Sequence, residues 1–251
     1  MSLLFRRSAW GIAALVLSVS MGSGIVAQDT YLEKDGLLVL EAEAASNIPT
    51  NHWAVDSSVA GASGGSYLRA KTNSFGNPGR GTISYNFQTT STGNFQFNFR
   101  SRIGQGTSNT EHNDTWVRLV DRNGNAIAPI ANNNDVRSGR WMKAYRNGNV
   151  SQWISQASNR DNDPHSISWS LQKDTEYAIQ LSSRSAGHLV DRLYLWDRSR
   201  YNFANQNAGW GANENALNNL TNSGLVPEPG TAALSLGVMG WLLLRRRQIA
   251  G

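Results

Sequence analysis

Between residues 28 and 201 the chain carries almost no apolar repeat of helical period; it alternates instead. Phe95-Gln96-Phe97-Asn98-Phe99 is the clearest case. Successive side chains of a strand point to opposite faces, so this stretch puts three rings on one side and two amides on the other. Alternating or β-branched runs recur at 36–43, 66–69, 81–87, 93–101, 115–121, 141–146, 166–171, 175–183 and 189–196, separated by Gly, Asn, Asp and Ser clusters. Asp121-Arg122-Asn123-Gly124-Asn125 is a strong turn. Roughly nine strands in about 170 residues predict an all-β jelly-roll β-sandwich of two antiparallel sheets. The core is built without staples: the chain has no cysteine, which excludes a disulfide scaffold, a thiolate metal site and a cysteine nucleophile.

The formal charge of +5 invites a nucleic-acid reading. Its distribution argues against one. Of 23 Lys and Arg, five lie in 1–27 and 225–251 (Arg6, Arg7, Arg245, Arg246 and Arg247), and of 18 Asp and Glu only Glu228 does. The remainder holds 18 bases against 17 acids, a net +1 with no basic stripe to track phosphates.

Those ends read as addresses. Arg6 and Arg7 precede a largely apolar run from Ala9 to Val19 and a small-residue stretch to Ala27, the layout of a secretory signal helix over 1–27. At the other end Pro227-Glu228-Pro229 precedes an apolar run, 231–244, and then Arg245–Arg247. Fourteen residues span about 21 Å as a helix at ~1.5 Å per residue, short against a hydrocarbon core of roughly 30 Å. Arginines at that end favour the cytoplasmic side. Residues 202–224 hold eight asparagines in 23 positions and are expected to be a flexible spacer, leaving 28–201 as the folded domain.

The 225–251 segment resembles the PEP-CTERM sorting signal of exosortase substrates, carried by Pro227, Glu228, Pro229, the short transmembrane helix and Arg245, Arg246 and Arg247. That resemblance implies export, an inner-membrane stage in transit, cutting by exosortase near the Pro-Glu-Pro, and a final place at the cell surface or in the extracellular matrix of an exopolysaccharide-making bacterium.

The body has its own resemblance. Glu41-Ala42-Glu43 ends an early strand, the turn Ala62-Ser63-Gly64-Gly65-Ser66-Tyr67-Leu68 follows, and Gly187-His188-Leu189-Val190-Asp191-Arg192-Leu193 opens the last strand. In that order, with Glu111-His112-Asn113-Asp114-Thr115-Trp116 between, they resemble the galactose-binding-like jelly rolls of family 6 and family 35 carbohydrate-binding modules. The resemblance implies a noncatalytic module that binds polysaccharide and holds a structural Ca²⁺ between an acidic pair on the first strand and an aspartate on the last. The matching positions are Glu41, Glu43 and Asp191. Alternate residues share a strand face, so Glu41 and Glu43 can aim at one ion.

Sugar recognition asks for rings that stack on a pyranose and planar polar groups that grip hydroxyls. The candidates are Trp53, Glu111, Asn113, Asp114, Arg184 and His188, with Trp153 as a further loop ring. Two other readings stand beside this one: a structural or adhesive matrix protein without a sugar pocket, and a polysaccharide-active enzyme using Glu111 and Asp114. No His-Glu-x-x-His or phosphate loop is present.

Overall fold

The computed structural model describes residues 29–130, 136–203, 216–217 and 219–226. Among them are thirteen strands: β1 Thr30–Leu32, β2 Leu37–Glu41, β3 Trp53–Asp56, β4 Tyr67–Ala70, β5 Ile83–Gln88, β6 Gly93–Ile103, β7 Asp114–Asp121, β8 Met142–Tyr145, β9 Ile154–Ser155, β10 Ser158–Asn159, β11 His165–Leu171, β12 Glu176–Ser183 and β13 His188–Asp197. All nine expected strands are there. The four not foreseen, β1, β3, β9 and β10, have two to four residues each, too few for alternation to register.

The expected pair of separate sheets is one sheet. Its order is β1-β5-β12-β7-β8-β10-β11-β6-β13-β4-β3, with β2 on β13 and β9 on β6. The short β10 joins the halves, pairing with β8 on one side and β11 on the other. Curling at that seam brings the inward rows together: Ile83, Tyr85, Val117, Leu119, Ile179 and Leu181 from one half pack with Leu38, Phe95, Phe97, Phe99, Trp169 and Leu195 from the other. Each such fully buried side chain contributes about 1.5–3 kcal/mol. Every pairing is antiparallel except β1 on β5.

In β6 the rings point inward as alternation requires, but Gln96 and Asn98 are buried too. The segment after β9 lies across them, and Ala157 N–H donates to Asn98 Oδ1 at 3.1 Å.

β13 is irregular where it matters. Its register on β6 shifts between Val190 and Arg192, so Asp191 is a bulge residue. Val190 and Leu193 both face the core, while the two residues between them are turned out of it.

Composition suggests a free spacer over 202–224; its described later part is packed on the sheet. Leu217 is buried with Val39, Tyr194 and Trp196. Ser223 N–H donates to Val39 O and Val39 N–H to Ser223 Oγ, at 2.8 and 3.0 Å. Leu32 N–H donates to Gly224 O at 2.8 Å and Val226 N–H to Thr30 O at 2.7 Å. Among the described residues no helix is long and apolar enough to cross a membrane. The signal segment 1–27, the motif Pro227-Glu228-Pro229, the apolar run 231–244 and Arg245–Arg247 lie outside the described residues.

Candidate functional site

One end of the β5-β12-β7-β8 layer carries a cleft of about 560 Å³. Its frame follows from the ladder: Thr115 on β7 pairs with Ser183 on β12, and Asp114 on β7 pairs with Tyr145 on β8. Residues just past these strand ends therefore converge. Asp114 is buried, with Arg184 Nη1 on Oδ2 and Ser185 Oγ on Oδ1. The Arg184 guanidinium carbon lies 5.2 Å from the Phe75 ring centroid and 5.0 Å from that of Trp116, so cation–π contacts fix it as well. Trp116 is held by its indole N–H on Ser74 O at 2.9 Å.

Phe75 remains 54% exposed, a large ring at the mouth of a polar cleft. Around it stand Glu111, exposed on the rim, and Asn113, whose side-chain amide donates to Arg146 O at 2.6 Å. Lys143 lies opposite, paired with Asp161 and 4.8 Å from the Tyr145 ring centroid. The arrangement offers one apolar face and several donors and acceptors whose positions are set by buried contacts.

Four of the six expected sugar-site residues, Glu111, Asn113, Asp114 and Arg184, are thus brought to one cleft. Two are not. Trp53 belongs to β3, is fully buried in the core and donates from Nε1 to Gly81 O at 2.7 Å; it has no face to offer a ligand. His188 lies within β13, fully buried, with Nδ1 2.8 Å from Thr115 Oγ1 and its ring on Phe99. Burial, aided by the Arg146 charge, lowers its pKa to about 3 and keeps it neutral. Trp153 is also turned inward, against Tyr67 and bonded to Ala60 O at 3.0 Å. Phe75, Lys143 and Asp161 were not legible as site residues. Phe75 carried a faint signal, a lone ring in the turn-rich run Ser74-Phe75-Gly76-Asn77-Pro78-Gly79.

A second cluster gathers around the Ser63–Gly65 turn. Ser63 Oγ donates to Glu41 Oε1 at 2.7 Å, Ser63 N–H to Asp191 Oδ1 at 3.0 Å, and Ser66 Oγ to Glu43 Oε1 at 2.8 Å. Two guanidiniums join them: Arg100 Nη1 at 2.5 Å from Asp191 Oδ2, and Arg192 Nε at 3.2 Å from Glu41 Oε1. Burial raises Glu43 to about 7, with Glu41 and Asp191 adding repulsion. Burial likewise raises Asp191 to about 6, against the pull of Arg100. Glu41 Oε2 and Glu43 Oε2 are buried acceptors with no hydrogen-bond partner. Among the described residues, no three His, Cys, Asp or Glu side chains stand in a metal-binding arrangement.

No family model and no curated protein sequence matches the chain. Among solved structures it is similar to the GH26-CBM35 β-(1,4)-mannanase of Podospora anserina, with 16% identity over 65% of this chain and 28% of that one, at a TM-score of 0.42. It is similar to a family 35 carbohydrate-binding module from Clostridium thermocellum, with 18% identity over 64% of this chain and 98% of the module, TM-score 0.39. The CBM35 of Cellvibrio japonicus Abf62 gives 18% identity over 63% and 91%, TM-score 0.39. The chain therefore spans about a quarter of the mannanase and nearly all of each isolated module.

Proposed function

We propose that the chain is a noncatalytic protein that binds polysaccharide in the cleft lined by Phe75, Glu111, Asn113 and Arg184. The observation that carries this reading is the exposed Phe75 ring beside a fixed Arg184–Asp114 pair, with Glu111, Asn113 and Lys143 around it. A sugar ring has an apolar face and equatorial hydroxyls, and this cleft has a partner for each. Catalysis by Glu111 and Asp114 is disfavoured because both oxygens of Asp114 are already engaged, by Arg184 and Ser185. The test is gel retardation of the purified body by neutral and acidic polysaccharides, together with Phe75→Ala. Retardation that falls about tenfold in the variant, the scale of one lost aromatic contact near 1.4 kcal/mol, supports the reading. Migration unaffected by every polysaccharide would overturn it and favour a structural or adhesive matrix role.

The ends suggest where it works: exported through the 1–27 signal, held in the inner membrane by 231–244, and cut by exosortase near Pro227-Glu228-Pro229 for delivery to the surface or matrix. Glu41, Glu43 and Asp191 would hold a structural Ca²⁺. Two buried carboxylate oxygens without partners support a hard cation there, and Asp191 would have to turn from Arg100 to join them. The ion would offset the excess negative charge of the cluster and add a link between β2 and β13.

A further inference from the structure

The cleft sorts its charges by depth. Its lining holds three carboxylates, Glu111, Asp114 and Asp161, against two side-chain cations, Lys143 and Arg184. Asp114 and Lys143 belong to β7 and β8, and Arg184 directly follows β12, so sheet neighbours cover them. Glu111 lies in the connection from β6 to β7 and Asp161 in that from β10 to β11, past the strand ends.

Both cations are spent inside the protein. The Arg184 side chain is 17% exposed; it bonds Asp114 and lies between the rings of Phe75 and Trp116. The Lys143 side chain is 13% exposed, held by Asp161 and the Tyr145 ring. An anionic ligand would have to take either cation from a carboxylate and a ring together. The acids are the open side of the balance. The Asp161 side chain is 68% exposed and meets Lys143 through Oδ1 alone. Glu111 is exposed and makes no ion pair or side-chain hydrogen bond among the described residues. The cleft therefore shows carboxylate to the solvent, with one negative charge in excess of its lysine and arginine.

We infer that the cleft selects a cationic amino-sugar polymer, one with free 2-amino groups, over neutral and uronic-acid polymers. The inference rests on the reading of the cleft as a polysaccharide site. A glucosamine unit has the same apolar ring face as glucose, so the exposed Phe75 ring serves both. Its ammonium adds three N–H donors and a charge, and Glu111 is a free acceptor for a charge-assisted hydrogen bond. Acetylation removes that charge. A uronate sets a third carboxylate against Glu111 and Asp161, a like-charge clash that works against the wrong ligand.

Three β-(1,4)-linked hexamers, of glucose, N-acetylglucosamine and glucosamine, differ only at the second ring carbon and isolate this contact. They are titrated calorimetrically into the full-length chain at low salt, in a buffer that keeps the amine protonated. The glucosamine hexamer should bind about fivefold tighter than the other two, or about 1 kcal/mol at ~1.4 kcal/mol per tenfold, the scale of one exposed ion pair. A galacturonate hexamer should bind weakest. At about 0.5 M salt, where screening acts within roughly 3–5 Å, the preference should fall below about twofold. Glu111→Gln should lower it as far at low salt. Asp174→Asn, at an exposed carboxylate before β12 and so at the far end of that strand from Arg184, should leave it unchanged. Equal affinities for the three hexamers, tighter binding of galacturonate, or a preference untouched by Glu111→Gln overturns the charge selection alone. Failure of every hexamer to bind, with no polysaccharide retarding the chain, overturns the polysaccharide reading and the selection with it.

Discussion

Glu43→Gln is the most informative single change, because the carboxylate cluster holds one negative charge too many. Fully ionised, Glu41, Glu43 and Asp191 face only two guanidiniums, those of Arg100 and Arg192. Burial lifts Glu43 from 4.5 to about 7. A carboxyl with a folded pKa above its unfolded value is bound more tightly to its proton in the native state. Its stabilising contribution is complete below about pH 4.5 and is lost as pH rises through about 7. A shift of about 2.5 units corresponds to about 3.4 kcal/mol at ~1.36 kcal/mol per unit; Glu43 is partly open to water, and screening leaves roughly half, about 1.5–2 kcal/mol. Glutamine mimics the protonated acid at every pH. In chelator, the variant should match the parent at pH 5 and exceed it by about 1.5–2 kcal/mol at pH 8, or roughly 3–8 °C in Tm. The comparison must be made against the parent at each pH. His188, depressed to about 3, gives stability that is present above its unfolded value and is lost as pH falls, a trend shared by both proteins. Urea midpoints at the two pH values measure the difference. Millimolar calcium should reverse its sign at pH 8, since the variant offers the ion a neutral amide oxygen in place of a carboxylate. A Glu43→Gln protein less stable than the parent at pH 8 in chelator would refute the charge argument, and no response of the parent to calcium would remove the ion.

Two further outcomes test the frame. Glu33 is fully buried and accepts from the backbone N–H groups of Gly36, Thr90 and Ser91; Glu33→Ala leaves three donors unmatched and should cost about 3–9 kcal/mol in guanidinium unfolding at ~1–3 kcal/mol each, whereas a loss under about 1 kcal/mol would show that water replaces the carboxylate. Leu217→Ala should cost about 2–3 kcal/mol and speed amide exchange at Leu32 and Val39, whose N–H groups bond Gly224 and Ser223; unchanged exchange would mean that Leu217 does not hold that segment.

How far the sequence could be read depended on the range of the contacts involved. Alternation is local, so β5, β6, β12 and β13 were visible with bounds within a few residues of those observed. Ser158–Asn159 has no such pattern, yet it joins the two halves of the sheet; its strand character comes only from the neighbours β8 and β11. No alternation marks β3, so the sequence leaves Trp53 looking like a loop ring; as a strand residue its ring belongs to the core. The alternating run starts at Leu189, one position after His188, which the strand includes and buries. The convergence of Glu111, Asn113, Asp114 and Arg184 was legible, since each lies beside a foreseen strand end. Phe75 and Lys143 were not, because nothing local says which side chains from 75 and 143 reach the same cleft. The Asn-rich segment misled for a related reason: Leu217 and Ser223 find their partners about 180 residues earlier, on β2.

The place of β13 also governs when the molecule can fold. This last strand pairs with β6 on one side and with β2 and β4 on the other, so it occupies the middle of its half of the sheet. Until residue 197 is available, β2 has no strand to pair with, β4 has only the four-residue β3, and Leu38 and Leu40 lack the Leu193 and Leu195 rows beside them. Pairings this distant in sequence are slow, on the scale of milliseconds to seconds. The half of the sheet built on β13 is therefore completed last, whatever order the chain emerges in, because its central strand is also its final one.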